Sequence, residues 1–227
     1  MSPNLNVAIL DDHLAIIDGY SFRLANAKDI KIVATASYGE DLEPLLEKHK
    51  VDVLLLDVSV PTSAKNQNIY PILHLIPKLL EQYPDLIILV ISMHNQLTLI
   101  KSVLEAGASG YIMKDDRQTI QELASVIRAV ASGSIHLSRM ALQQVSRKLP
   151  QGEMLSPRQL EALSLAAAYP DKTTAELANH LNVANSTMRN LLSGAYLHLE
   201  VHSRLAAVAK AQRLGILVQE ELPPANL

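Results

Sequence analysis

Asp11 and Asp12 directly follow the apolar run NVAIL (6–10), and Asp57 ends the run VDVLLL (51–56). Ser92 closes LIILVI (86–91), and Lys114 closes GYIM (110–113). Carboxylates placed together repel, and burial adds to the penalty unless a cation neutralises them. The surrounding sequence offers oxygen donors and no cysteine. That donor set favours a hard cation, Mg²⁺ first, which keeps several waters and shares a phosphate oxygen. Ser92 brings a hydroxyl to the same rim, and Lys114 brings a compact positive charge suited to a phosphoryl oxygen. Any one of these residues alone reads as a turn former, a helix cap or a solvated charge. Together, at the strand ends of one sheet, they describe a site for phosphoryl chemistry.

These residues must be positioned by the elements that carry them. The runs at 6–10, 31–36, 51–56, 86–91 and 110–113 are rich in Val, Ile and Leu and lack clean alternation, as strands covered on both faces should be. Helix-period segments lie between and after them, over about 13–26, 39–48, 69–82, 95–106 and 116–132. Asn95 and Asp115 or Asp116 are expected helix N-caps, and Gly107 and Gly110 flank the turn after the fourth helix. Strands alternating with helices imply an α/β fold, a doubly wound five-stranded parallel sheet. Ligands of such sheets bind beyond the carboxyl ends of the strands, where the strand order reverses.

From about 133 the strand pattern disappears. ASGSIHLSRM reads as a linker into a short helix near 138–148, and KLPQGEMLSP breaks the chain again. After Ser156 the pattern is helical, over about 157–168, 173–181, 185–199 and 203–214. The expected domains are 1–132, a linker with a short helix over 133–154, a small all-α four-helix domain over 155–217, and a frayed tail over 218–227.

Composition narrows the functions. The chain has 227 residues, a formal net charge of -3, no cysteine, one Phe, no Trp and seven Tyr. The cores are therefore aliphatic, and any nucleic-acid site must be local. Disulfides, thiolate catalysis and zinc–cysteine sites are excluded. No apolar run approaches the roughly 20 residues of a membrane span, and no basic leader precedes the first strand. A cytoplasmic protein that does not bind membranes is expected.

The stretches AILDDH, LLLDVSVP, VISMH and GASGYIMKD resemble the receiver domain of bacterial response regulators, over roughly residues 5–132. The resemblance implies a CheY-like fold in which Asp57 accepts a phosphoryl group from a histidine kinase. Asp11, Asp12, Asp57 and the backbone carbonyl of Ser59 would hold Mg²⁺. Lys114 would stabilise charge on the transferring group, while Ser92 and Tyr111 would switch inward. In the other domain, KTTAELANHLNVANSTMRNLL reads as two helices joined by a tight turn, a unit that lays its second helix in the major groove. Residues from LSPRQLEAL onward resemble a LuxR-type helix-turn-helix, and the whole chain resembles the NarL/FixJ subfamily. That implies a transcription regulator, not an enzyme, binding palindromic promoter DNA as a homodimer. Asn185, Ser186, Thr187, Arg189 and Asn190 would face the DNA.

Several positions depart from those patterns. Ala184 stands where Ser or Thr often caps the recognition helix, so Asn182 or Asn185 would have to substitute. Ser186 stands where a basic residue is common, and Leu191 where a histidine is common. From residue 155 onward, Lys and Arg at 158, 172, 189, 204, 210 and 213 are matched by Asp and Glu at 161, 171, 176, 200, 220 and 221. Phosphate neutralisation drives DNA affinity, so binding that is weak, salt-sensitive or dependent on dimerisation is expected. The alternative reading is a phosphorylation-independent regulator or adaptor that acts through protein contacts. A phosphatase of the haloacid dehalogenase type would need a second aspartate two residues after the first, and that position is Ser59. After Asp57, TSAKNQN has no glycine, and 35 positions separate Asp57 from Ser92. A long loop over the pocket mouth or a displaced third helix is expected there.

Overall fold

The computed structural model describes residues 4–146 and 155–217. The end of the helix expected near 138–148, the rest of the linker and the tail at 218–227 lie outside the described residues. All five expected strands are present, as β1 (Leu5–Leu10), β2 (Ile30–Ala36), β3 (Val53–Leu56), β6 (Ile87–Ser92) and β7 (Gly110–Met113). Between β3 and β6 lie two short strands, β4 (Pro61–Ser63) and β5 (Asn66–Ile69). The main sheet is parallel in the order β2-β1-β3-β6-β7, the doubly wound order whose chain reversal falls between β1 and β3. Asp11 and Asp57 therefore leave the sheet at the reversal point. A sixth strand, β8 (His136–Leu137), joins the edge beside β7. It comes from the segment expected to be pure linker. Two residues are too few to leave a period in the sequence.

Helices cover both faces. α1 (Leu14–Leu24), α5 (Arg117–Gln121) and α6 (Leu123–Ala131) follow their strands, with the expected 116–132 helix broken at Glu122. Ile17, Tyr20, Leu123 and Ile127 seal one face against Ile9, Leu55 and Ile91. On the other face pack α2 (Leu42–Lys48), α3 (Ile72–Gln82) and α4 (Leu97–Glu105). Asp116 caps α5 by accepting from the Thr119 N–H, whereas α4 starts after Gln96 rather than at Asn95. Gly107, at φ 109°, makes the expected turn after α4. α7 (Arg139–Ser146) follows β8 and packs on α4.

The polar run after Asp57 is neither an open loop nor a displaced helix. β4 and β5 form an antiparallel hairpin apart from the main sheet, closed at Ala64–Lys65, and α3 begins at Ile72. The hairpin rests on the short 3₁₀ turn Gly39–Asp41. Tyr70 lies against Gly39 so tightly that a Cβ there would stand 2.0 Å from the Tyr70 ring. Overpacking of this kind costs roughly 1–3 kcal/mol. Gly39→Ala is expected to lower the melting temperature on that scale, and Gly39→Ala/Tyr70→Ala to recover part of it. Equal melting of Gly39→Ala and wild type would refute the contact.

The C-terminal helices are α8 (Pro157–Ala168), α9 (Thr174–Leu181), α10 (Asn185–His198) and α11 (Arg204–Arg213). Ser156 and Thr173 open α8 and α9 with capping boxes to Gln159 and Glu176. Asn182 takes a left-handed conformation (φ 52°) and ends α9. It does not cap α10. That helix begins after Ala184 with no side-chain cap; Asn185 is its first residue, and its Nδ2 donates to Pro84 O. Ala162, Leu163, Leu177, Met188, Leu192 and Tyr196 form its core, which is continuous with the α2–α4 side of the sheet. Among the described residues, no helix is long and apolar enough to cross a membrane.

Candidate functional site

Each acid is delivered by a backbone bond at its strand end. The Asp11 N–H donates to Ala36 O, and the Asp57 N–H to Leu10 O. The Lys114 N–H donates to Ser92 O, which fixes the neighbouring ends of β6 and β7 in step. The side chains then converge. Lys114 Nζ lies 2.7 Å from Asp11 Oδ2 and 2.7 Å from Asp57 Oδ2. All three side chains are almost fully buried, at 6, 2 and 5 % exposure. Burial pushes the Lys114 pKa down, but hydrogen bonds and charge from Asp11 and Asp57 push harder, and it ends raised. Asp12 is more open, and the backbone N–H of Ser59 donates to Asp57 Oδ1 at 3.1 Å.

Asp11, Asp12 and Asp57 thus supply carboxylate oxygens at one rim, a donor set that fits a hard divalent ion. His13, unremarked in the sequence although it follows Asp12 directly, adds a nitrogen. Its Nδ1 sits 2.8 Å from Asp12 Oδ1, and its ligand atom with those of Asp11 and Asp12 lies within a 4.8 Å group. Tyr20, from α1, is a second residue the sequence did not mark. Burial raises its phenol pKa, and the charges of Asp11 and Asp57 raise it further.

Ser92 is fully buried, and its Oγ accepts from the His94 N–H at 3.2 Å. Tyr111, expected to swing inward on switching, is already inward, at 0 % exposure. Its hydroxyl donates to His94 O at 2.7 Å, which satisfies the phenol and holds the ring in place. His94 also reaches across the rim, with Nε2 2.8 Å from Ser59 Oγ. His94 is the residue joining Ser59, Ser92 and Tyr111, and only its place two positions after Ser92 hinted at this.

The five residues expected to face DNA divide into two groups. Asn185 Nδ2 donates to Pro84 O at 3.0 Å, and Asn190 Nδ2 to Glu105 O at 3.1 Å. Arg189 donates from one terminal nitrogen to Leu86 O at 2.6 Å and from the other to Pro84 O at 3.0 Å. All four bonds run to backbone carbonyls of the α/β domain. Burial pushes the Arg189 pKa down, opposed by the Asp85 charge. Thr187 is exposed and Ser186 half-buried. The inward side of α10 packs on α4 and α3. In this conformation α10 is therefore closed to a DNA groove. Leu191 is partly buried and packs against the core, while Leu205 of α11 and Leu214 at its C-cap stay exposed.

The sequence profile of the response regulator receiver domain matches residues 7–127. Response regulator UvrY of Escherichia coli (strain K12) is 27% identical over 223 residues, covering 96% of this chain and 98% of its own. Oxygen regulatory protein NreC of Staphylococcus epidermidis is 30% identical over 186 residues, covering 76% of this chain and 82% of its own. Among solved structures, RcsB of Salmonella typhimurium is similar at TM-score 0.55 and 23% identity, covering 94% of this chain and 99% of that one. A structure of two RcsB dimers bound to two parallel DNAs aligns at TM-score 0.54 and 25% identity, covering 92% and 98%.

Proposed function

We propose, from the premise that this chain belongs to the response regulator receiver-domain family, that it is a two-component transcription regulator whose DNA-reading helix is held shut until Asp57 is phosphorylated. The single observation that carries this reading is the Asp11–Lys114–Asp57 cluster at the sheet's reversal point. One Asp57 oxygen attacks the phosphorus of a phosphohistidine on the partner kinase. An O–P bond forms, the N–P bond breaks, and the histidine nitrogen keeps the electron pair. Asp11, Asp12, Asp57 and the Ser59 carbonyl would hold Mg²⁺, which would supply charge neutralisation for the phosphoryl oxygens. Lys114 leaves its bridging place between the two carboxylates and pairs with a phosphoryl oxygen. Ser92 exchanges the His94 N–H for the new phosphate. Because Tyr111 hangs on the same His94 backbone, that exchange moves the β6–α4 connection and the start of α4.

The output follows from what rests on α4. Asn190 is bonded at the end of α4, and α10 packs along it. A shift of α4 loosens those contacts and frees Asn185, Arg189 and Asn190. With Ser186 and Thr187 they would then meet DNA, Arg189 through phosphate or guanine. Leu205 of α11 and Leu214 at its C-cap, both exposed, suit pairing with a second copy on a palindrome. The domains of this reading are the receiver at 1–132, the linker at 133–154 and the DNA-binding domain at 155–217.

The test is DNA selection on the intact protein at low salt, with and without beryllium fluoride and Mg²⁺. Enrichment of a palindrome is expected only with the phosphoryl mimic, and Asp57→Asn is expected to give none in either state. If Asp57→Asn responds as wild type does, Asp57 is not the acceptor. If wild type enriches nothing in either state, the phosphorylation-independent adaptor takes its place.

A further inference from the structure

A cavity of about 220 Å³ lies in the seam between the receiver and α10. It has room for roughly seven waters or a ligand of comparable bulk. Ile87 and Ser109 line it, at the starts of β6 and β7, so it opens at the end of the sheet opposite Asp57. The turn after α6 forms one wall, and the start of α9 with the inward side of α10 forms the other. Gly133 (φ 89°) brings the two walls together. A Cβ there would stand 3.0 Å from Thr174 Oγ1 and 3.8 Å from a terminal nitrogen of Arg204.

The polar groups around this space are short of partners. Arg189 lines the cavity and Arg204 reaches its wall. Arg189 is tied to the carbonyls of Leu86 and Pro84, and Arg204 to those of Lys172 and Pro170. Among the described residues, no carboxylate lies within ion-pair distance of either guanidinium. Tyr196 lines the cavity at 1 % exposure, and its hydroxyl makes no well-aligned hydrogen bond, with only the Arg204 guanidinium alongside it to interact. Burial pushes that phenol's pKa up, and the Arg204 guanidinium beside it opposes the push. Asn185 Oδ1 is likewise buried without a partner. The N–H groups of Thr174 and Ala175 open α9 and have no acceptor within the helix. One carboxylate, the exposed Asp85, also lines the space.

A half-buried guanidinium, Arg204, with no carboxylate in ion-pair range, and a buried hydroxyl and a buried amide oxygen without partners, are each left unsatisfied. One ligand class satisfies them together. We propose that the seam cavity binds a small hydroxylated oxyanion, a phosphate or carboxylate compound. Its anionic end would meet Arg204, Tyr196 and the start of α9, and its hydroxyl would donate to Asn185 Oδ1. Touching both walls, it binds the closed arrangement better than an open one and shifts the population toward it. The site stands whether or not the protein reads DNA, because its binding is measured without DNA.

The test is calorimetric titration of the intact protein, without Mg²⁺, with inorganic phosphate and separately with citrate. Chloride at matched ionic strength is the control. At least one oxyanion is expected to bind once per chain and to raise the melting temperature beyond the chloride response. Tyr196→Phe keeps the ring, loses the hydroxyl and is expected to weaken binding by about tenfold. Arg204→Gln is expected to abolish it, and where that variant does not fold, Tyr196→Phe decides. Binding by phosphate alone or citrate alone identifies the anion type. Two results overturn the proposal. One is a response no larger than chloride for both anions. The other is wild-type affinity in Tyr196→Phe, which places the anion elsewhere.

Discussion

Lys114→Met is expected to lower the unfolding free energy of the metal-free protein by about 3–5 kcal/mol, the usual loss when one partner of a buried charge cluster is removed. Lys114 touches Asp11 and Asp57 at once, so its loss strands two carboxylates of 2 and 5 % exposure in one pocket. Nothing else positive in the described structure replaces it at that distance. Mg²⁺ should recover a large part of the loss, because an ion held by these carboxylates would stabilise only the folded state. Asp57→Asn is the milder change, since Lys114 then keeps Asp11. The pH dependence carries a matching sign. The folded-state pKa of Lys114 is raised, so its contribution is fully present below the unfolded value of 10.5. It is lost as pH rises through the higher folded value. Wild type should therefore weaken on the alkaline side in a way that Lys114→Met does not. Chemical unfolding followed by circular dichroism, in EDTA and in Mg²⁺, measures all of this. Equal stability of Lys114→Met and wild type in EDTA would sink the idea that the cluster is held by this lysine.

Asp85→Lys is expected to raise the operator affinity of the unphosphorylated protein by about tenfold, or 1.4 kcal/mol. Asp85 is exposed and takes no part in the phosphoryl pocket. Its charge supports Arg189 in the buried place where that side chain meets Pro84 and Leu86. A lysine there sets two like charges against each other and favours departure of α10. Arg189 itself is untouched and remains available for DNA. The size of the gain depends on how closed the wild type is, because apparent affinity scales with the open fraction. With beryllium fluoride present, wild type and variant should converge. Fluorescence anisotropy on the selected operator reads both conditions. An Asp85→Lys protein that binds no better than wild type before activation, and no differently after it, would mean that the seam does not restrain α10.

The parallel sheet was readable because its strands are buried on both faces and left unbroken Val/Ile/Leu runs. The charged pocket was readable for a related reason: Asp57 and Lys114 end such runs abruptly, and several polar groups at the ends of one sheet are more than single turn formers or caps account for. Other features left no comparable trace. The hairpin turns at Ala64–Lys65, without the Asn-Gly or Asp-Gly that marks a tight hairpin in sequence. β8 is too short for a period. The seam is invisible for a different reason. Asn185, Arg189 and Asn190 are held by main-chain carbonyls of Pro84, Leu86 and Glu105, and a carbonyl carries no residue identity. The same three side chains fit a DNA groove or a protein backbone equally well on paper. Tyr111 was singled out in the sequence, yet its inward position depends on the path of the chain at His94, which composition does not encode.

The hairpin after Asp57 has a consequence for how this chain can vary. Its strands pair only with each other, and the main sheet runs from β3 to β6 without it. Closing a longer loop adds entropy only logarithmically with length, so a few residues more or fewer at Ala64–Lys65 change stability little. Tyr70 on Gly39 and the Tyr70 N–H bond to Val60 O act as the seam of a sleeve, fixing where the excursion rejoins the fold. The tip can therefore lengthen, shorten or change sequence while the carboxylates and the start of α3 keep their places. Diversity in this region is mechanically decoupled from the chemistry beside it.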